Sequence, residues 1–291
     1  MYCPVITHCD KCAILFVVDC SLSMRNLTRF SNTVMTKRDA AAIIVNHFIE
    51  ELLARATRHD YVRDYYDIGV IGYSGSESFP LLELDNNSIM VSITRLKEYM
   101  PQPQSVYINQ LCHDDTSHVA RFNIPFWIEP TASGESPFYD AMVMTKSVIE
   151  KWCNDPKNQH SNPPIVIHIS DGVANDADDI ELQFIADDIK SIAINGKGVL
   201  FINVYLSTID EGDNNEELFP QEQSFATGDS DKMFLYKISS SIPDYLEAPL
   251  SQLLDGDSDA THRAFAANIS PISILSLINI GTNQPIVTLN Q

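Results

Sequence analysis

Positive charge is what this sequence has least of. Only 19 Lys and Arg stand against 39 Asp and Glu in 291 residues, a formal net charge of -20. So acidic a surface repels phosphate backbones and anionic headgroups. That argues against nucleic acid and membrane surfaces as partners and favours basic protein surfaces and cations. No apolar run approaches the length of a bilayer span. No basic segment precedes the first apolar run and no small-residue cleavage pattern follows it, so the expected location is cytoplasmic. Six cysteines are too few for a disulfide scaffold in a chain of this size. Cys9-x-x-Cys12, with Cys3 and His8 nearby, lacks the second pair of a zinc site, so reduced thiols are expected. Internal repeats and low-complexity tracts are absent, and so is a glycine-rich phosphate cradle.

What is present is ordinary globular material: 44% hydrophobic and 20% charged residues, enough for a sizeable core. Strands are expected at Ala13–Val18, Tyr66–Tyr73, Ile165–Ile169, Val199–Tyr205 and Met233–Ile238, with a short one at Phe126–Glu129. Helices are expected at about Thr36–Ala56, Ile89–Tyr99, Pro137–Trp152, Ile180–Asn195 and Ile242–Leu254, with a closing helix in Ala264–Ile280. Gln102–Phe122 reads as an insertion or edge region, and Thr208–Asp231 as an acidic surface loop. Strands alternating with helices indicate an α/β fold, a doubly wound, mostly parallel sheet flanked by helices. No composition break divides 1–291 into two domains. The core spans about 12–240, with a C-terminal helical extension at about 241–282.

Asp255-Gly-Asp-Ser-Asp259 suggests a calcium loop and fails as one. Its sixth position is Ala260 rather than glycine, and its twelfth is Ala266 rather than glutamate. The stronger signal is at the other end of the chain. The apolar run Ala13–Val18 stops abruptly in Asp19-x-Ser21-x-Ser23. A strand buried on both faces that ends in three oxygen-bearing side chains places them at the sheet edge where open α/β folds bind ligands. By itself the triplet reads equally well as a polar turn.

Two more segments extend it. Ile165–Ile169 also stops at an aspartate, in Ser170-Asp171-Gly172. Ser136 stands just before a helix, after Gly134 and ahead of Pro137. If the two aspartate-ended strands are neighbours, Asp19, Ser21, Ser23, Ser136 and Asp171 can gather at one edge. Two carboxylates and three hydroxyls are hard oxygen donors suited to Mg²⁺ or Mn²⁺.

This three-part pattern resembles the metal-ion-dependent adhesion site of the von Willebrand factor A domain: Asp-x-Ser-x-Ser, a distant Thr, then a distant Asp before Gly. Here the Thr position falls on Ser136, which keeps the hydroxyl and loses the methyl that restricts its rotamer. Phe126–Pro130, Gly134–Ala141, Pro163–Gly172, Leu200–Asn203, Ile238–Pro243 and Ala266–Thr282 are similar to segments of the bacterial TerY-like branch, in its order. The resemblance implies a vWA/Rossmann-like three-layer sandwich and a non-enzymatic module. In it, Mg²⁺ or Mn²⁺ on Asp19, Ser21, Ser23, Ser136 and Asp171 would bridge to an Asp or Glu of a protein partner. It also implies stress-response settings, with a PP2C-type phosphatase or a Ser/Thr kinase as partner. A metal-dependent phosphohydrolase is the alternative from a different class, and a metal-free structural scaffold is the third reading.

Overall fold

The computed structural model describes residues 11–84, 88–111, 117–209, 216–246 and 261–270, together with 250, 254, 273 and 276. Its centre is an eight-stranded sheet. In chain order its strands are β1 (Cys12–Asp19), β2 (Tyr66–Ser74), β3 (Glu77–Pro80), β4 (Val91–Ser92), β5 (Ile165–Ser170), β6 (Leu200–Tyr205), β7 (Glu217–Leu218) and β8 (Phe265–Ala267). Across the sheet they run β7-β8-β6-β5-β1-β2-β3, with β4 also on β2. The β8-β6-β5-β1-β2 pairings are parallel. The short strands β3, β4 and β7 pair antiparallel at the margins.

Among the described residues, helices α1 (Lys37–Ala56), α2 (Ile93–Glu98), α3 (Phe138–Cys153), α4 (Asp179–Ser191) and α5 (Ser230–Ile238) flank the sheet. Strand β1 shows why there are two layers of them. Alternate side chains of a strand point to opposite faces. Ile14, Phe16 and Val18 join one core with Ile44, Phe48 and Leu52 of α1. Leu15 and Val17 join the other with Phe138 and Ile149 of α3, Leu182 and Ile189 of α4, and Leu235 of α5. All eight β1 residues are buried. Each fully buried Leu, Ile, Val or Phe contributes roughly 1.5–3 kcal/mol. This is the doubly wound, mostly parallel α/β sheet expected from the sequence. Among the described residues no helix is long and apolar enough to cross a membrane.

Several elements differ from expectation. Met233–Ile238 lies within helix α5, not in a strand. Lys232, Leu235, Tyr236 and Ile238 are its buried residues, and Asp229 caps it by accepting the N–H groups of Asp231 and Lys232. A six-residue run with five apolar side chains fits either period, and the cap is the signal that decides it. Phe126–Glu129 forms no strand. Its backbone is held instead by the Asn46 side chain, which accepts from the Trp127 and Ile128 N–H groups and donates to the Ile128 carbonyl. The 102–122 region contains most of an antiparallel hairpin, Pro103–Leu111 with Ser117–Pro125, that buries Ile108 and Ile124 in the α1-side core.

Helix α4 stops at Ser191, and a short hairpin turns at Asn195-Gly196, both at positive φ. Phe265–Ala267, at the start of the segment expected to hold a closing helix, is strand β8, between β6 and β7. Within the expected helical extension, residues 244–246, 250, 254, 273 and 276 are helical. Cys3, His8, Cys9, His113, Asp114, Asp115 and Asp255–Asp259 lie outside the described residues.

Candidate metal site

Asp19 closes β1 and Asp171 follows the last residue of β5, and these two strands are parallel neighbours in register. Both carboxylates therefore reach the same sheet edge, at the carboxyl ends of adjacent strands. Asp19 is 1% exposed and Asp171 4% exposed.

The Asp19 carboxylate is held on both sides. Oδ1 accepts the Ser21 backbone N–H at 2.8 Å, and Oδ2 accepts the Ser170 hydroxyl at 3.1 Å. The Ser21 and Ser23 hydroxyl oxygens lie 3.0 Å apart. Ser136 Oγ donates to the Val173 carbonyl at 2.7 Å and lies 3.4 Å from Asp19 Oδ2. Ser136 does not cap α3: Pro137 takes that position with no side-chain bond, which leaves the hydroxyl to the site.

Loop zippering explains how residues so far apart in sequence meet. Leu22 N–H donates to the Gly134 carbonyl at 2.9 Å, and Ser133 N–H to the Cys20 carbonyl at 2.7 Å. Gly75 N–H donates to the Glu135 carbonyl at 2.9 Å. Gly134 has φ +67, and a Cβ there would meet the Gly75 backbone at 2.7 Å, so only glycine lets these loops close. Gly172 is similar: φ is +89, and a Cβ would meet Asp231 at 2.6 Å. That glycine lets the start of α5 approach Asp171.

The Asp171 carboxylate is divided. Its Oδ2 receives Lys37 Nζ at 3.0 Å. Its Oδ1 is buried with no hydrogen-bond partner. A buried carboxylate oxygen left unpaired costs free energy. Beside it, burial and then the charge of Asp171 push Asp19 up to about 6, against the hydrogen bonds from Ser21 and Ser170. Two buried carboxylates of like charge, one with an empty acceptor, suit a cation. Hard carboxylate and hydroxyl oxygens suit Mg²⁺ or Mn²⁺ in particular. Among the described residues no group of three or more His, Cys, Asp or Glu could hold a metal. The donor set is two carboxylates supplemented by hydroxyls.

A cleft of about 780 Å³ opens over the site, lined in part by Ser23, Lys37, Asp171, Tyr205, Asp229 and Asp231. Burial, then Asp229 and Asp171, raise the Asp231 carboxyl above its ordinary range. Lys37, Ser170, Asp229 and Asp231 were not among the candidate residues. Ser170 adjoins Asp171 and was within view. Lys37 is 134 residues from Asp171, and nothing local marks the pair.

His168 is a packed core residue of β5. It is fully buried, and burial lowers it to about 4, so it is neutral near pH 7.

The site is thus an oxygen-lined pit at the carboxyl edge of a mostly parallel sheet. No protein-family model matches this chain, and no curated protein does. Among solved structures the chain is similar to a von Willebrand factor type A protein from Catenulispora acidiphila, at 11% identity and a TM-score of 0.40. The match covers 67% of this chain, and this chain spans 33% of that one.

Proposed function

We propose that this chain is a non-enzymatic, metal-dependent protein-binding module of the von Willebrand factor A type. Asp19, Ser21, Ser23, Ser136 and Asp171 would hold Mg²⁺ or Mn²⁺. Such an ion, when bound, supplies a Lewis-acidic position that accepts a carboxylate from outside the protein. The chain's own residues do the rest. Asp19 and Asp171 supply the negative charge, the loop zipper fixes the serines, and the cleft admits a partner's acidic side chain. The finer reading, a TerY-like protein of a bacterial stress response with a PP2C-type phosphatase or Ser/Thr kinase as partner, rests on the segment resemblance. The observation that carries the metal reading is the buried, unpartnered Asp171 Oδ1 beside a second buried carboxylate.

Phosphoryl chemistry asks for a free base or a phosphate clamp near the metal. The two lysines lining the cleft are both committed, Lys37 to Asp171 and Lys232 to Glu217, each at 3.0 Å and each 3% exposed. His168 is sealed in the core. These features favour binding over hydrolysis. The Lys37–Asp171 pair also supports a second reading, a metal-free scaffold in which the ammonium is the only cation the site needs.

Calorimetric titration of Mg²⁺ and Mn²⁺ into the wild type and Asp19→Ala tests the proposal. Binding is expected in the first and not in the second. No binding to the wild type overturns the metal reading. Phosphatase turnover that Asp19→Ala abolishes would favour the hydrolase. A pull-down with and without chelator tests whether partner capture follows the metal.

A further inference from the structure

Lys37 stands where two physical terms oppose it. It is the first residue of the 20-residue helix α1, and the N-terminus of a helix disfavours a cation. It is also 3% exposed, and burying an ammonium without a partner is costly. Asp171 Oδ2 at 3.0 Å is the compensation. The Lys37 N–H donates to the Asn26 carbonyl at 3.0 Å, which ties the start of the helix to the loop after Ser23. The ammonium is thereby delivered to one oxygen of Asp171 while the other stays unpaired.

We propose that Lys37 is a tethered counter-cation that shares Asp171 with the divalent ion and sets how tightly that ion is held. The inference rests on the metal reading above. Asp19, Asp171 and Lys37 together carry one net negative charge. A divalent cation turns that into one net positive charge, which a partner's carboxylate then neutralises. Without Lys37 the loaded trio would already be neutral. Lys37 therefore weakens the bare metal site and strengthens the link between metal and acidic partner. That link is reciprocal, each ligand raising affinity for the other.

The experiment is titration of MgCl₂ and MnCl₂ into the full chain as wild type, Lys37→Met and Lys37→Arg, followed by calorimetry. Loss of a unit charge this close is expected to tighten binding roughly ten- to hundredfold in Lys37→Met. Lys37→Arg, which keeps the charge, should stay within about threefold of the wild type. A merely structural lysine would lower stability in Lys37→Met and leave metal affinity unchanged. That result, with the wild type binding, overturns this inference and spares the metal reading. Binding by Lys37→Met alone upholds the inference and overturns the metal reading for the wild type. Binding by neither overturns both. If Lys37→Met is unfolded without metal, the same titration is followed by circular dichroism. Refolding by Mg²⁺ upholds the proposal, and no recovery where the wild type saturates overturns it.

Discussion

Two polar clusters are buried in neighbouring strands of this sheet, only a few residues apart, and their hydrogen bonding contrasts. In the interior, Tyr73 OH donates to His168 Nε2 at 2.8 Å, and His168 Nδ1 donates to Asn203 Oδ1 at 2.8 Å. Asn203 Nδ2 donates on to the Leu235 carbonyl at 3.1 Å and to Ser239 Oγ at 2.9 Å. Phe138 stacks on the imidazole at 4.2 Å between ring centres. Each of these groups has a partner and the cluster carries no charge. At the edge, Asp19, Asp171 and Lys37 are charged and buried, and Asp171 Oδ1 has no partner. A satisfied neutral network fixes a core. A charged cluster with an empty acceptor spends stability on a site that a ligand can complete. Comparable burial thus supports structure in one cluster and binding in the other.

The sharpest break in that contrast is Asp171→Ala. It leaves Lys37 buried without its partner and should cost about 3–5 kcal/mol in urea unfolding. Adding Lys37→Met in the same chain should recover much of the loss. If the single variant costs less than about 1 kcal/mol, the pair does not have the weight assigned to it.

The interior cluster should answer to pH. An unfolded imidazole takes its proton near 6.5, whereas folded His168 holds out to about 4. As pH falls below 6.5 the unfolded state therefore binds the extra proton first. The contribution of His168 is fully present above 6.5 and is lost between there and about 4, on the order of 3 kcal/mol in all. Urea unfolding at pH 7, 5.5 and 4 should show a shallower decline in His168→Phe than in the wild type. Equal slopes would place the acid sensitivity elsewhere.

A smaller effect is expected from Tyr73→Phe. It strands His168 Nε2 and should cost about 1–3 kcal/mol while leaving Mg²⁺ affinity unchanged. A change in metal affinity would mean that the two clusters are coupled. Smallest of all is Ser136→Thr. The added methyl restricts the rotamer, and Mg²⁺ binding by calorimetry should tighten a few-fold. Looser binding would mean that the pit around Ser136, which is 1% exposed, has no room for the methyl.

How much of this could be read from sequence follows the same divide between local and distant signals. Strands β1 and β5 were legible because both are apolar runs that end at an aspartate. Helix α1 was legible because Ala41, Ile44, Phe48 and Leu52 recur at its period. The five candidate donors were legible by residue type, and the structure brings their elements to one edge. Helix α5 was misread because Met-Phe-Leu-Tyr-Lys-Ile fits both periods. Strand β8 was missed because Phe-Ala-Ala carries no β-branched residue, and its position between β6 and β7 is decided by packing. Lys37 escaped for a different reason. A lysine opening a helix after Thr36 looks like a solvated terminus, and only the fold reveals Asp171 in front of it.

Whether the edge cluster takes a divalent cation is answered most directly by Mg²⁺ calorimetry on the wild type beside Asp19→Ala. Binding of a single ion per chain by the wild type, lost in Asp19→Ala, is the expected result. A wild type that shows no binding of Mg²⁺ or Mn²⁺ would contradict it and leave the Lys37 ammonium as the cation that Asp171 holds.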